Sequence, residues 1–437
     1  MRTIKFFTLG CKVNQYDTQV IREQFLNAGF KELDDHLYAD VYVINTCTVT
    51  ANADSRSFNL IRRAKRENPR AKIIVTGCLA ELDGERISGI SGITHIVKNE
   101  EKDRIIELLN ELNEHNGPNG HNDKGISNFS GHTRAFLKIQ DGCNNFCSYC
   151  KVPLVRGASR SKPLDEIIQE ANRLVKNGFQ ELVLCGICLG SYGKDLQSQK
   201  NVVDVIEALE KINGLLRIRL SSIEASDVSE RLIEKMAQSK KLCRHLHIPV
   251  QSGDDEILKR MNRNYCREDY LNLVKKIKMS IPQIAITTDV LVGFPGETEE
   301  NFQNTVKLVQ EILPLKMHIF PYSLREGTPA ANFKPILNPK IIKEGIKYLK
   351  NIAERCSLEY KNQFLNKNMN ALIEGRSKEN PCFWEGYTDN YIRVWVKSDL
   401  NLKNQLISLK LKKIVIARFY TSRFLLIKTY GMLYLDN

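Results

Sequence analysis

Apolar residues fall into short compact runs separated by longer amphipathic stretches, and the pattern changes twice along the chain. Within residues 1–114 the runs at 4–9, 41–45, 73–76 and 94–97 are continuous rather than alternating, as in strands buried on both faces. Between them, helical spacing predicts helices over 17–28, 55–67 and 103–113. Strands that alternate with helices imply a parallel α/β sheet. Residues 115–131, HNGPNGHNDKGISNFSG, have almost no apolar content and many Gly and Asn, which predicts a linker.

Residues 132–362 alternate again. The strands are expected at 136–139, 182–184, 218–220, 246–248, 285–290 and 317–320, with helices at 164–176, 203–211, 230–237, 270–278 and 302–312. Six β/α units are too few for a closed eight-unit barrel and predict a partial (β/α)6 barrel. From 363 to about 430 the runs shorten to 370–373, 391–396, 406–409, 413–419 and 423–427, which predicts a small all-β barrel.

The chain has 437 residues, 42% hydrophobic and 26% charged, an ordinary globular composition that excludes a disordered or fibrous protein. No window approaches the roughly 18 consecutive apolar residues of a membrane helix. The opening run MRTIKFFTLGCKVNQ is too short for a secretory segment. The expectation is a soluble cytoplasmic protein with no membrane partner. The net charge of +13 fits either a polyanionic partner or simple solubility. Residues 362–437 carry 12 Lys/Arg against 6 Asp/Glu, about half of that excess.

Twelve cysteines in a cytosolic chain point to metal or catalysis rather than disulfides. CNNFCSYC places Cys143, Cys147 and Cys150 at C-x3-C-x2-C, just after the first strand of the central unit. Three close thiolates can hold three irons of a cubane iron–sulfur cluster and leave the fourth iron open. Zinc would require a fourth ligand at a short offset, and none follows; His132 lies upstream, beyond a strand. A second set is dispersed. Cys11, Cys47 and Cys78 each follow the carboxyl end of a predicted strand, in TLGC, VINTC and IVTGC. Loops at those ends gather along one sheet edge. By spacing alone these three are either a second cluster site or small buried hydrophobes.

C-x3-C-x2-C is the motif of the radical S-adenosylmethionine (SAM) superfamily. TLGCKVNQYDTQ, INTCTVTANADSRS, VTGCLAE, KIQDGCNNFCSYC, VRGASRS, HLHIPVQSGDDEILKRMNR, VLVGFPGETEENF, FPYSLREGTPA and GYTDNYIRV together resemble the radical SAM methylthiotransferases over nearly the whole chain. The resemblance implies two [4Fe–4S] clusters. One, at Cys143, Cys147 and Cys150, binds SAM; an auxiliary one at Cys11, Cys47 and Cys78 holds or supplies sulfur. It also implies a TRAM-like RNA-binding domain over 363–430, and an electron donor and a sulfur source as partners. CKVNQYDT resembles the branch that adds a methylthio group to carbon 2 of N6-threonylcarbamoyladenosine at position 37, in the tRNA anticodon loop. Two rivals stand beside this reading: a methylthiotransferase acting on a ribosomal protein, and a non-catalytic iron–sulfur RNA-binding protein.

The resemblance places Tyr149 against the adenine of SAM and Gly186 where a glycine approaches SAM. Ser222, Glu224 and Gln251, beside Ser221 and Ser252, lie where hydrogen bonds to SAM or the nucleotide would form. His245 and His247 alternate on one short strand and so share a face; we expect core or supporting histidines there. VLCGICLGSYG departs from the family pattern with Cys185 and Cys188, which we expect to be small-residue replacements rather than ligands. Tyr387, Tyr391, Trp395, Phe419 and Tyr420 lie among Lys and Arg, as either RNA-stacking faces or barrel core.

Overall fold

In the computed structural model, residues 2–34, 37–110, 125–418 and 425–433 are described. Strands β1 (Thr3–Thr8), β2 (Lys31–Glu32), β3 (Val41–Thr46), β4 (Lys72–Gly77) and β5 (His95–Val97) form a parallel sheet of order β2-β1-β3-β4-β5. Alternate residues of β3 serve opposite layers. Tyr42 and Ile44 meet Phe58 and Ile61 of helix Ala51–Glu67, whereas Val41 and Val43 meet Ile21 and Phe25 of helix Lys12–Asn27. Both faces are covered, so the apolar runs are continuous. Helix Lys12–Asn27 starts five residues before the expected 17, directly after Cys11 as its N-cap. The expected helix 103–113 begins as the 3₁₀ turn Asn99–Arg104 and continues as Ile105–Asn110; residues 111–113 lie outside the described residues.

The central unit contains β6 (Ala135–Lys138), the hairpin pair β7 (Gln140–Asp141) and β8 (Arg160–Ser161), β9 (Glu181–Cys185), β10 (Arg217–Leu220), β11 (His245–His247), β12 (Ala285–Val292) and β13 (Lys316–Pro321). Parallel pairing gives β10-β9-β6 and β11-β12-β13, and the bridges Ile218↔Leu242 and Ser222↔His247 join β10 to β11. The result is an open arc of six parallel strands. Helices cover its outside, and one apolar cluster fills the space between. This is the expected partial barrel.

Two segments depart from expectation. Helix Pro339–Asn362 was not anticipated; Leu349, Ile352 and Cys356 pack on the barrel and Tyr360 in the C-terminal core. Residues 125–131 are not a free linker. Ile126 and Phe129 are buried in the barrel core, and Glu170 and Glu23 accept the backbone N–H groups of Ile126, Ser127 and Asn128. Two apolar residues in a polar stretch were enough to dock it.

β14 (Asn368–Arg376), β15 (Phe383–Thr388), β16 (Arg393–Lys397), β17 (Leu406–Arg418) and β18 (Leu425–Leu433) close a barrel of order β14-β15-β16-β18-β17. The runs at 406–409 and 413–419 are one strand with a bulge between Leu411 and Lys413. β15, with its polar alternation, was missed. This barrel covers the N-terminal ends of the central strands. Arg217 donates to the carbonyls of Tyr387 and Asn370, and Arg219 to those of Asp389 and Thr388. Tyr391 stacks on His245 at 4.5 Å under the guanidinium groups of Arg134 and Arg219. Trp395 is buried and stacks on Phe383. Tyr387, Tyr391 and Trp395 are therefore interface and core rather than RNA-stacking faces; Phe419 and Tyr420 lie outside the described residues. No helix among the described residues is long and apolar enough to cross a membrane.

The α/β domain covers the opposite end. Asp17 is buried, 2.9 Å from Lys102, 2.5 Å from Lys138 and 3.1 Å from Arg156. Burial alone would raise its pKa, but the three cations outweigh burial and hold the carboxyl well below the ordinary carboxylate range. A depressed carboxyl stabilises the fold fully above its unfolded pKa of about 3.9, and that contribution fades as pH falls below it. Asp17→Ala, which leaves the buried Lys102 without its counter-charge and Lys138 and Arg156 with Asp141 alone, is expected to cost about 3–5 kcal/mol in thermal or denaturant unfolding. Asp17→Asn should in addition flatten the loss of stability below about pH 4.

Candidate metal centres at the barrel mouth

The dispersed cysteines do converge. Cys11 caps helix Lys12–Asn27, Cys47 follows β3 and Cys78 follows β4. The electrostatic influence of Cys11 and Cys78 reaches Cys47, and that of Cys11 reaches Cys78. Asn14 ties the loops together, donating to the carbonyls of Leu9 at 2.7 Å and Thr46 at 2.8 Å. Two glycines let these loops pack closely. A Cβ on Gly10 would come within 3.1 Å of the Cys47 sulfur, and one on Gly77, at φ +94°, would collide with Asn45 and Thr46. Burial pushes the Cys47 thiol up to about 11 and raises Cys78, against the pull of Arg156 and Lys102. Thiols held this way ionise when a metal cation replaces the proton.

The CNNFCSYC loop is fixed by backbone from the β11–β12 connection. Ser148 donates from its N–H to the Met261 carbonyl and from its hydroxyl to the Arg260 carbonyl. Each sulfur has an N–H directed at it: the backbone of Asn145 to Cys143 at 3.5 Å, the backbone of Val152 to Cys150 at 3.4 Å, and Arg263 to Cys147 at 3.4 Å. Such donors stabilise thiolate sulfur on an iron–sulfur cluster, so both donor sets suit the group expected of them. Burial pushes the Cys150 thiol up to about 12 and raises that of Cys147, opposed there by Arg263.

Arg156, six residues beyond Cys150, joins the two sets. It bonds Asn14 and Asp17 on the helix that Cys11 caps, and its charge acts on Cys78 and Cys11. Arg325 makes a second tie, to Thr48 at 2.7 Å and Asp54 at 2.7 Å beside Cys47.

The remaining expected site residues scatter around this mouth. Glu224 pairs with Arg263 beside Cys147; burial raises its carboxyl, with Arg263 opposing. Tyr149 packs edge-on to Phe294, 6.5 Å between centroids. Ser222 sits at the bridge to His247, and the Ser221 hydroxyl is buried with no partner among the described residues. Gln251 takes the left-handed φ of +67° while paired with Val290; Ser252 turns away, onto Thr305. Gly186 is glycine because a Cβ would press on Gln140 at 2.7 Å, a constraint from the protein itself. Cys185 is fully buried in β9, as a small packing residue. Cys188 is elsewhere: it contacts Cys143, whose thiol it lowers to about 7, and lies 3.2 Å from Ser191 and 3.4 Å from Asp227. Gly293 and Gly296, at φ +83°, form the turn of VGFPGET, and Thr298 caps the helix that follows.

Residues 137–309 match the radical SAM superfamily and residues 3–117 match the uncharacterized protein family UPF0004. The chain is 39% identical to threonylcarbamoyladenosine tRNA methylthiotransferase MtaB of Bacillus subtilis over 94% of both chains. It is 36% identical to the protein of the same name from Thermotoga maritima, over 90% of this chain and 91% of that one. The chain belongs to the radical SAM methylthiotransferase family. A further relative, tRNA-2-methylthio-N(6)-dimethylallyladenosine synthase of Alkaliphilus oremlandii, is 36% identical over 92% of this chain and 89% of that one. Among solved structures, the radical SAM methyltransferase TsrM of Kitasatospora setae shares the fold, with a TM-score of 0.55 at 14% identity over 75% of this chain and 77% of that one.

Membership in the methylthiotransferase family brings SAM and two [4Fe–4S] clusters. Motifs alone do not single out Arg156, Arg263 or Arg325 beside the cysteines. VRG and FPYS were visible as signatures, but nothing in their spacing told which side chain reached which cysteine. Cys188→Asn is expected to leave iron content unchanged in the reconstituted protein if the two three-thiol sets hold both clusters; loss of one iron or more per chain would make Cys188 a ligand.

Proposed function

We propose that this chain is a tRNA methylthiotransferase acting on carbon 2 of N6-threonylcarbamoyladenosine at position 37 of the anticodon loop. The supporting observation is the 39% identity, across 94% of both chains, to a relative named threonylcarbamoyladenosine tRNA methylthiotransferase. In this reading Cys143, Cys147 and Cys150 hold the cluster whose open iron takes SAM. Cys11, Cys47 and Cys78 hold the auxiliary cluster. When bound, the first cluster and SAM supply hydrogen-atom abstraction, and the second holds the sulfur to be transferred. An aromatic C–H is too inert for acid–base activation, so that chemistry falls to cofactors.

The chain's own residues bind, orient and exclude water. Glu224, held by Arg263 beside Cys147, suits the ammonium of SAM; Tyr149 supplies an apolar face for the adenine, and Gly186, Ser222 and Gln251 line the same mouth. Arg156 and Arg325 hold the auxiliary site over that mouth, so the two thiol sets keep one separation, as transfer between them requires. The excess of basic residues suits the tRNA backbone. An electron donor and a sulfur source complete the cycle in this reading, and a tRNA substrate suits a cytoplasmic enzyme.

Nucleoside mass spectrometry of tRNA with and without the gene is the direct test. Loss of the methylthiolated threonylcarbamoyl nucleoside supports the reading; loss of the dimethylallyl counterpart instead, or no change in tRNA, overturns it.

The thiol sets should separate by role. Replacing Cys143, Cys147 or Cys150 with Ala is expected to remove one cluster and abolish SAM cleavage. Replacing Cys11, Cys47 or Cys78 should remove the other cluster, retain 5′-deoxyadenosine formation and eliminate the methylthio product. Anaerobic reconstitution, iron quantitation and product analysis on all six variants check this. Full iron and retained product in the second group would remove the auxiliary-cluster assignment.

A further inference from the structure

Three side chains on adjacent strands meet inside the barrel: His247 on β11, Asp289 on β12 and His318 on β13. The register sets His247 opposite Thr287 and Asp289 opposite His318. Their neighbours Leu246, Ile248, Val290 and Met317 belong to the cluster under the helices. Successive strand residues point to opposite faces, so the polar three face the lumen.

The hydrogen bonds run in a chain. Thr287 Oγ1 lies 2.9 Å from His245 Nε2 and 2.9 Å from His247 Nδ1. His247 Nε2 is 3.3 Å from Asp289 Oδ2, and His318 Nδ1 is 2.9 Å from Asp289 Oδ1. Thr287 has one hydroxyl proton, which allows two directions. In the first, His245 Nε2–H donates to Thr287, Thr287 to His247 Nδ1, and His247 Nε2–H to Asp289. Every proton has an acceptor, and the unmatched atom is a bare lone pair on His245 Nδ1, which is buried without a partner. In the reverse, His245 carries its proton on that sealed Nδ1, and His247 turns a bare lone pair toward a carboxylate. Stranding a buried N–H costs about 1–3 kcal/mol. His245 is neutral, because burial and then the charge of Arg219 hold its pKa well below the ordinary value.

The first direction therefore holds. Asp289 is the terminal acceptor of two N–H groups, and those two donors hold its carboxyl well below the ordinary range against the effect of burial. With its Nδ1 proton given to Asp289, His318 leaves Nε2 as the ring nitrogen free to accept, on a side chain 44% exposed. The same three groups are close enough together to hold a metal ion. An ion there would need a bare Nε2 on His247, which forces the unfavourable direction of the chain.

We propose that His318 contacts the substrate, its Nε2 accepting a hydrogen bond from an N–H of the ureido group on the modified adenine, with Asp289 and His247 as positioning residues. The inference rests on the reading of the substrate above. A ring that offers an acceptor selects a donor, and the ureido linkage is what distinguishes this nucleoside from unmodified adenosine.

The test uses the cluster-loaded protein and two anticodon stem-loop RNAs, one with threonylcarbamoyladenosine at position 37 and one with adenosine. Wild type should bind the modified RNA about 10-fold more tightly, the scale of one hydrogen bond lost from a desolvated pair. His318→Ala should remove that preference without weakening binding of the unmodified RNA; His318→Gln, which keeps an acceptor, should restore part of it. Asp289→Asn should lower the preference with His318 still present. Iron content and the circular dichroism of each variant should match wild type. An unchanged preference in His318→Ala overturns the proposal, and so does one zinc per chain bound by wild type and lost in Asp289→Asn. No preference in wild type, with methylthiolation of tRNA intact, overturns it while leaving the activity in place.

Discussion

One buried carboxylate organises the molecule. Asp17 projects from the helix that Cys11 caps and meets cations from three places: Lys102 of its own domain, Lys138 at the end of the first barrel strand, and Arg156 just beyond the CNNFCSYC loop. Away from water these attractions are strong, and each group is costly if left alone. Docking is therefore all-or-none rather than graded. Asn14, one turn earlier on the same helix, fixes the Cys11 and Cys47 loops and bonds the same Arg156. A single helical turn thus sets the relation between two thiol sets that the chain keeps in separate domains.

The barrel is closed at both ends by other parts of the chain, and the two closures differ in kind. At the mouth the contacts are ionic and directional, which suits an edge that must hold metal and admit substrate. At the base, arginines of β10 donate to backbone carbonyls of the C-terminal barrel, and Tyr391 stacks on His245. That contact seals His245 from water. It also makes the C-terminal domain a structural part of the lumen in addition to any role on RNA, so the first link of the chain His245–Thr287–His247–Asp289–His318 depends on it.

The cysteines show how one residue type divides by environment. Cys143, Cys147 and Cys150 receive N–H donors; Cys47 packs against Gly10; Cys185 is a packed strand residue; Cys188 leans on Cys143. Burial alone does not sort them, since it raises nearly all of these thiols. The donors and the packing around them do.

The sequence by itself determined the elements and their class. Continuous apolar runs announced strands buried twice over, C-x3-C-x2-C is local enough to be a site wherever its loop is placed, and three cysteines after three parallel strands had to share an edge. The boundaries missed were those set by contacts rather than composition. The start of helix Lys12–Asn27 is fixed by its cap, the docking of residues 125–131 by two apolar side chains, and the strand Phe383–Thr388 by its partners on both sides. Only the tertiary structure decided that Asp17, Arg156 and Arg263 serve the cysteines, that Tyr391 and Trp395 face inward, and that His247, Asp289 and His318 form one lumen group. These are charge and hydrogen-bond pairings between residues tens to hundreds of positions apart. Such pairings carry no periodicity, because side-chain reach and burial fix them after the backbone has been placed.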